Sequence, residues 1–210
     1  MSTVLAWLPW FAGAYLLGAV PTSYLVMRMA RGVDLRTVGS GNLGATNLYR
    51  QLGWRYAVPV GLFDMAKGAL PVMVGMRLPG GGTALALGLG AAAVLGHVYS
   101  LFVGFKGGKG VATGAGVVLG LAPWAFVVSL GVWGVVVWLS GYVSLASVIA
   151  AVLFPAVTWI LHPEQRPLLW MHLALAALIV VLHRTNLRRL AAGTENRFGR
   201  HDHAASPGAG

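Results

Sequence analysis

Residues 111–140 read VATGAGVVLG LAPWAFVVSL GVWGVVVWLS, a stretch without one charged side chain. A helix that crosses a bilayer needs about 17–25 mainly apolar residues, and proline ends or kinks a helix. The stretch is therefore one overlong helix or two short ones broken near Pro123, and the choice sets the topology of the whole chain. Around it lie five further apolar runs, at 4–27, 54–76, 83–103, 146–161 and 168–183. Charge decides between the two. With the break, the N-terminus is outside and the C-terminus is cytoplasmic. Twelve of the fifteen Lys and Arg then fall inside, Arg77 and Arg166 fall outside, and Lys67 lies within a span. With one long helix the split is eight against six. Cytoplasmic loops carry an excess of Lys and Arg. The chain thus reads as an all-α integral membrane protein of about seven transmembrane helices, with Val111–Leu121 as an unusually short one.

Composition agrees. Charged residues make up 10% and hydrophobic ones 57%, with a mean hydropathy of +0.74, against about 25% charged in soluble domains. The formal charge is +10, but the cations sit in short clusters between apolar runs. Phospholipid or phosphorylated small molecules fit that placement better than nucleic acid. Cysteine is absent, which excludes disulfides, thiolate nucleophiles and zinc–sulfur sites. Five scattered acidic residues offer no compact oxygen-ligand cluster, so neither a metal nor a cofactor is expected. Met1–Tyr15 lacks a basic leader, and the first positive charges, Arg28 and Arg31, follow the apolar run. That is the pattern of a first span rather than a signal peptide. One transmembrane domain over 1–200 is expected, followed by a disordered tail at 201–210.

The seven-span topology puts three polar stretches on one side. The first is Val38–Arg50, VGSGNLGATNLYR. Gly39, Gly41 and Gly44 permit positive φ, which lets successive N–H groups converge on an anion. Ser40, Asn42, Thr46 and Asn47 add neutral hydrogen-bonding groups, Arg50 supplies a forked donor suited to phosphate, and Thr46 or Asn47 is placed to cap the next helix. The second is Gly104–Thr113, GFKGGKGVAT. It looks like a nucleotide-binding P-loop but lacks the required hydroxyl after Lys109 and the earlier glycine, where Val103 stands. Lys106 and Lys109 among Gly107, Gly108 and Gly110 would still make an anion cradle. The third is His183–Glu195, HRTNLRRLAAGTE, in which His183 and Asn186 share a helix face. Gly193 is a plausible stop for that helix.

Other polar residues lie within apolar runs. Asp64 and Lys67, three apart, can pair inside one span, as a functional or a neutralising pair. Ser144 and Ser147 head the sixth span, where serine caps well. His97 reads as a buried, hydrogen-bonded histidine.

At these motifs the chain resembles the bacterial acyl-phosphate-dependent glycerol-3-phosphate acyltransferases. The resemblance runs through Pro21 and Ser23-Tyr24, Gly39–Asn42 with Ala45–Asn47, Asp64 with Lys67-Gly68, Gly96-His97, Phe105–Thr113, Gly141–Ser144, and Arg184 to Glu195. It implies a seven-span fold in a bacterial cytoplasmic (inner) membrane with the site facing the cytoplasm. It also implies transfer of a fatty acyl group from acyl phosphate to the sn-1 hydroxyl of glycerol-3-phosphate, giving lysophosphatidic acid and phosphate. A mixed anhydride is already activated, so the protein need only place a hydroxyl, stabilise an oxyanion and neutralise the departing phosphate. Arg50, Lys109 and Ser40 are then expected to bind phosphate. Lys106, Gly41, Asn42, Thr46, Asn47, Gly107, Gly108, Arg188 and Glu195 complete the binding set. Ser144 or Ser147 would orient substrate and Asn186 donate a hydrogen bond. His183 is a candidate base, because an imidazole titrates near neutrality, with a substrate phosphate oxygen as the alternative proton acceptor. No histidine has aspartate five positions on, which disfavours another acyltransferase class. A transporter for a phosphorylated anion is the competing function, since it would also suit Asp64, Lys67 and the glycine-interrupted spans.

Overall fold

A computed structural model describes residues 2–198, and the tail at 201–210 lies outside them. Among the described residues the long elements are all helical: α1 (Ser2–Ala19), α2 (Thr22–Arg31), α3 (Ala45–Leu52), α4 (Trp54–Arg77) and α5 (Thr83–Val98), then α6 (Val111–Leu121), α7 (Pro123–Ser140), α8 (Val143–Leu161), α9 (Arg166–Leu182) and α10 (Arg184–Ala191). The uncharged stretch is broken at Ala122, as the charge count requires. Pro123 occupies the first turn of α7, where its missing N–H leaves no hydrogen bond unmade. A second break, at Val20-Pro21, divides the expected first run into α1 and α2.

Five helical stretches among the described residues are long and apolar enough to cross a membrane, or six if α9 and α10, bent by 56°, count together. The eleven residues of α6 rise roughly 16 Å, about half the hydrocarbon thickness. The outer surface is apolar: Trp138 is 82% exposed, and Trp124, Leu139 and Ile160 are exposed as well. In water such a surface would aggregate; in lipid it is solvated.

Reciprocal glycine contacts bring two helix pairs together. Gly68 of α4 faces the Thr113 carbonyl of α6, and Gly116 of α6 faces the Met65 carbonyl of α4. Gly18 of α1 and Gly96 of α5 meet the partner's Ala93 and Tyr15 carbonyls in the same way. A Cβ at any of the four would collide with backbone. In a membrane, where burial alone gives no drive, such close backbone packing is a main source of helix association. The α4–α6 contact fixes the start of α6, and with it Lys109.

Candidate active site

The first polar loop rests on a small core of its own, made by Met27, Leu35, Leu43, Leu48, Val60 and Val103. Asn47 shapes it. Its Oδ1 accepts from the Ser40 N–H at 3.0 Å, and its Nδ2 reaches the carbonyls of Leu35, Val38 and Asn42 at 3.1–3.3 Å. Gly39 and Gly41 take φ of 59° and 68°, whereas Gly44 is extended. Gly44, not Thr46 or Asn47, is the N-cap of α3, because Asn47 is occupied by the loop carbonyls. The Gly41 N–H bonds the Val38 carbonyl at 3.1 Å, so it is not offered to a ligand.

The second loop is pinned at both ends. Ser100 Oγ donates to the Ala19 carbonyl at 2.5 Å, and the N–H groups of Gly107 and Gly108 bond the carbonyls of Val98 and His97 at 3.0 and 3.1 Å. Those two N–H groups are therefore spent, and the glycines flanking the lysine pair form a tight turn rather than a flexible one. A Cβ on Gly107 or Gly108 would strike His97. The turn delivers the Lys109 side chain to the site, while Lys106 stays exposed.

The third stretch bends at His183. Its Nδ1 lies 2.8 Å from the Ile179 carbonyl, which can only accept, so Nδ1 carries the proton and the neutral ring keeps its Nε2 lone pair free. Glu195 is the hub. Its Oε1 accepts from Ser144 Oγ at 2.9 Å and Asn186 Nδ2 at 2.7 Å, and its Oε2 from Arg189 Nε at 2.6 Å. Burial would push this carboxyl up, but the three hydrogen bonds outweigh it and hold Glu195 below its ordinary value. Asn186 turns its Oδ1 to Lys109 Nζ, so lysine, amide, carboxylate and arginine form one chain. The segment after Glu195 closes over α3: Phe198 stacks on Tyr49 at 4.5 Å, and Arg50 Nη2 reaches the Asn196 carbonyl at 3.4 Å.

The three stretches meet around a cavity of about 380 Å³. Its polar end carries Ser40, Arg50, Lys109, His183, Asn186 and Glu195. Its apolar arm runs along α7 and α8, past Phe126, Leu130, Trp133, Ala150 and Phe154. Burial pushes Lys109 down to about 8, against the pull of Glu195 and with the repulsion of Arg189 and Arg50. Burial likewise lowers Arg50, whose Nε is buried without a partner. A guanidinium N–H buried without a partner is open to an anion such as phosphate.

Residues 8–193 match the family model described as glycerol-3-phosphate acyltransferase. A Geobacter sulfurreducens protein named glycerol-3-phosphate acyltransferase is 47% identical over 89% of this chain and 95% of its own. A Chlorobium luteolum protein of the same name is 41% identical over 94% and 97%. The crystal structure of PlsY, an integral membrane glycerol 3-phosphate acyltransferase in its glycerol 3-phosphate form, superposes with a TM-score of 0.85 at 41% identity, covering 92% of this chain and 96% of that one. Its lysophosphatidic acid form gives 0.84 at 39% identity, with the same coverage. This chain belongs to the glycerol-3-phosphate acyltransferase family.

Within this acyltransferase framework the expected residues divide. Ser40, Asn42, Thr46, Arg50, Lys109, Ser144, Ser147, His183 and Asn186 line the cavity. Asn47 and Glu195 also border it, but both are committed to protein partners and position other groups. Gly41, Lys106, Gly107, Gly108 and Arg188 are absent from its wall. Neither serine caps α8, whose N-cap is Tyr142. Ser144 donates to Glu195, while Ser147 Oγ donates to the Val143 carbonyl at 2.8 Å and accepts from Trp133 Nε1 at 3.3 Å. Three participants were missed. Arg189 is the arginine that Glu195 holds, and its spacing of three from Asn186 was a readable signal. Trp133 and Phe154 build the apolar arm, and nothing distinguishes them in sequence from lipid-facing residues.

Proposed function

We propose that this protein transfers a fatty acyl group from acyl phosphate to the sn-1 hydroxyl of glycerol-3-phosphate, releasing lysophosphatidic acid and inorganic phosphate. The carrying observation is one cavity in which an end holding Lys109 and Arg50, the latter with its buried Nε unpartnered, opens into an apolar arm. Lys109 and Arg50 take the phosphate of glycerol-3-phosphate, the arm takes the acyl chain, and the reacting carbonyl lies where the polar end meets the arm. The hydroxyl oxygen bonds the carbonyl carbon, and the carbonyl–phosphate C–O bond breaks with its electrons leaving on phosphate. The hydroxyl proton passes to His183 Nε2 or to a phosphate oxygen. A general base contributes about 10²–10⁴-fold, so His183→Gln separates the two: retained rate assigns the proton to phosphate.

The proposal includes a single domain over 1–200 with seven spans, N-terminus outside, in a bacterial inner membrane with the site on the cytoplasmic side. Introduced cysteines at Lys109 and Asn186, in a chain that has none, should be labelled from the same face. Detergent-purified protein given acyl phosphate and glycerol-3-phosphate should release one phosphate per lysophosphatidic acid, with or without chelator. Product from an acyl thioester but not from acyl phosphate would overturn the donor.

A further inference from the structure

The proposed chemistry uses the wall formed by Arg50, Lys109, His183 and Asn186. A second polar wall of the same cavity is left without a role: Asp64 on α4 and His97 on α5, both more than nine-tenths buried and both facing the cavity. Asp64 Oδ1 is held by Lys67 Nζ at 2.7 Å and Thr22 Oγ1 at 3.2 Å, while its Oδ2 has no partner among the described residues. The His97 ring makes no hydrogen bond to a described residue either, contrary to its expected role. Its Nε2 lies against Gly108, one residue from Lys109, and Gly108 in turn borders the Leu43 carbonyl of the first loop. His97 thus sits beside both loops of the phosphate end, and Asp64 faces the same cavity.

Their chemistry selects a ligand. A carboxylate oxygen only accepts, and a neutral imidazole offers one donor and one acceptor. An acyl chain satisfies neither, and a phosphate dianion is repelled by the carboxylate. A hydroxyl both donates and accepts, so it matches the pair. Glycerol-3-phosphate carries two hydroxyls, of which one reacts and the other needs a place.

We propose that Asp64 and His97 hold the secondary, sn-2 hydroxyl of glycerol-3-phosphate and so present the sn-1 hydroxyl to the acyl carbonyl. This rests on the glycerol-3-phosphate acyltransferase reading of the cavity. Cations at one wall and a carboxylate at the other orient the small substrate end to end, with its phosphate on Lys109 and Arg50. The hydroxyl donates to Asp64 Oδ2 and accepts from the His97 N–H.

Calorimetric binding to detergent-purified protein tests it without any acyl donor. Glycerol-3-phosphate is compared with 3-hydroxypropyl phosphate, which lacks only the secondary hydroxyl. A site built to hydrogen-bond a hydroxyl rejects the analogue without it strongly, so the wild type should bind the analogue at least about 100-fold more weakly. His97→Leu should bring the two ligands within about threefold and leave the KM for acyl phosphate unchanged, and His97→Gln should keep part of the preference. Equal binding of the two ligands by the wild type overturns the proposal, even if no variant folds. So does a His97→Leu variant that keeps the full preference. Absent turnover with acyl phosphate beside intact binding preference would instead overturn the donor assignment and leave this subsite standing.

Discussion

Two buried lysines set a satisfied cation beside an open one. Lys67, 1% exposed on α4, is matched on the spot: Asp64 lies 2.7 Å away and the Val20 carbonyl 2.9 Å away. Lys109, at the head of α6, meets only the neutral amide of Asn186. The nearby carboxylate, Glu195, already serves Arg189, Asn186 and Ser144. The Lys67 ammonium, buried against its own counter-ion, has nothing left to offer an anion. A charge whose counter-ion is shared still lacks an anion, and the cavity beside it supplies the room.

The largest effect expected from this contrast is on stability. Removing one partner of a buried pair costs about 3–5 kcal/mol, whereas replacing both with apolar groups is often neutral. Lys67→Met should therefore lower the thermal midpoint in detergent by roughly 10 °C. Adding Asp64→Leu should restore most of the loss. A single variant as stable as the wild type would show that Lys67 is not the neutralising partner.

Lys109→Met should show the reverse pattern. Losing one preorganised charge at a transition state costs about 10²–10³-fold, so kcat/KM should fall by that much while the midpoint holds or rises. An unfolded Lys109→Met protein would erase the contrast.

The contrast also has a pH signature. Burial holds Lys109 at about 8, against 10.5 for an ordinary lysine. The KM for glycerol-3-phosphate should be flat below that point and rise as pH passes about 8 and the cation is lost. Stability moves oppositely. Between about 8 and 10.5 the unfolded chain holds a proton that the folded one has released, so the folded state gains as pH rises. The stability difference between wild type and Lys109→Met should shift in favour of the wild type across that window. A difference flat in pH would mean that Lys109 is not buried in solution.

Much of this was legible in sequence. The break at Pro123 follows from span length and the positive-inside count, and the Asp64–Lys67 pair from a spacing of three inside an apolar run. The seven-span reading put the three polar stretches on one side, and the structure gathers them around one cavity. What stayed hidden is where backbone donors go. Gly107 and Gly108 look like an anion cradle until the carbonyls of His97 and Val98 are seen to take their N–H groups. Asn47 looks like a ligand-binding amide until four loop groups surround it. Both outcomes depend on contacts that local spacing does not encode. The apolar arm was hidden for a different reason: in a membrane protein a cavity-facing Phe154 and a lipid-facing Trp138 obey the same hydropathy.

The smallest expected effect separates two adjacent arginines, and here the sequence held the answer. On a helix, residues three apart share a face, so His183, Asn186 and Arg189 point one way and Arg188 another. Arg189 Nε sits 2.6 Å from Glu195 Oε2, whereas Arg188 is exposed and touches no part of the cavity wall. Arg189→Ala removes one of three donors from Glu195. A hydrogen bond to a charged group contributes about 1.5–3 kcal/mol when buried, and Arg189 is partly exposed, so the loss should fall at the low end, about tenfold in kcat/KM. It acts indirectly, by loosening Asn186 and the lysine that Asn186 aims. Arg188→Ala should change kcat/KM by less than about twofold, the scale of ordinary surface substitutions. Both are measured in one detergent at low salt, where any long-range pull of Arg188 on phosphate would be strongest. Equal losses would return Arg188 to the anion-binding set and remove the reason for assigning the Glu195 hub to one face of α10.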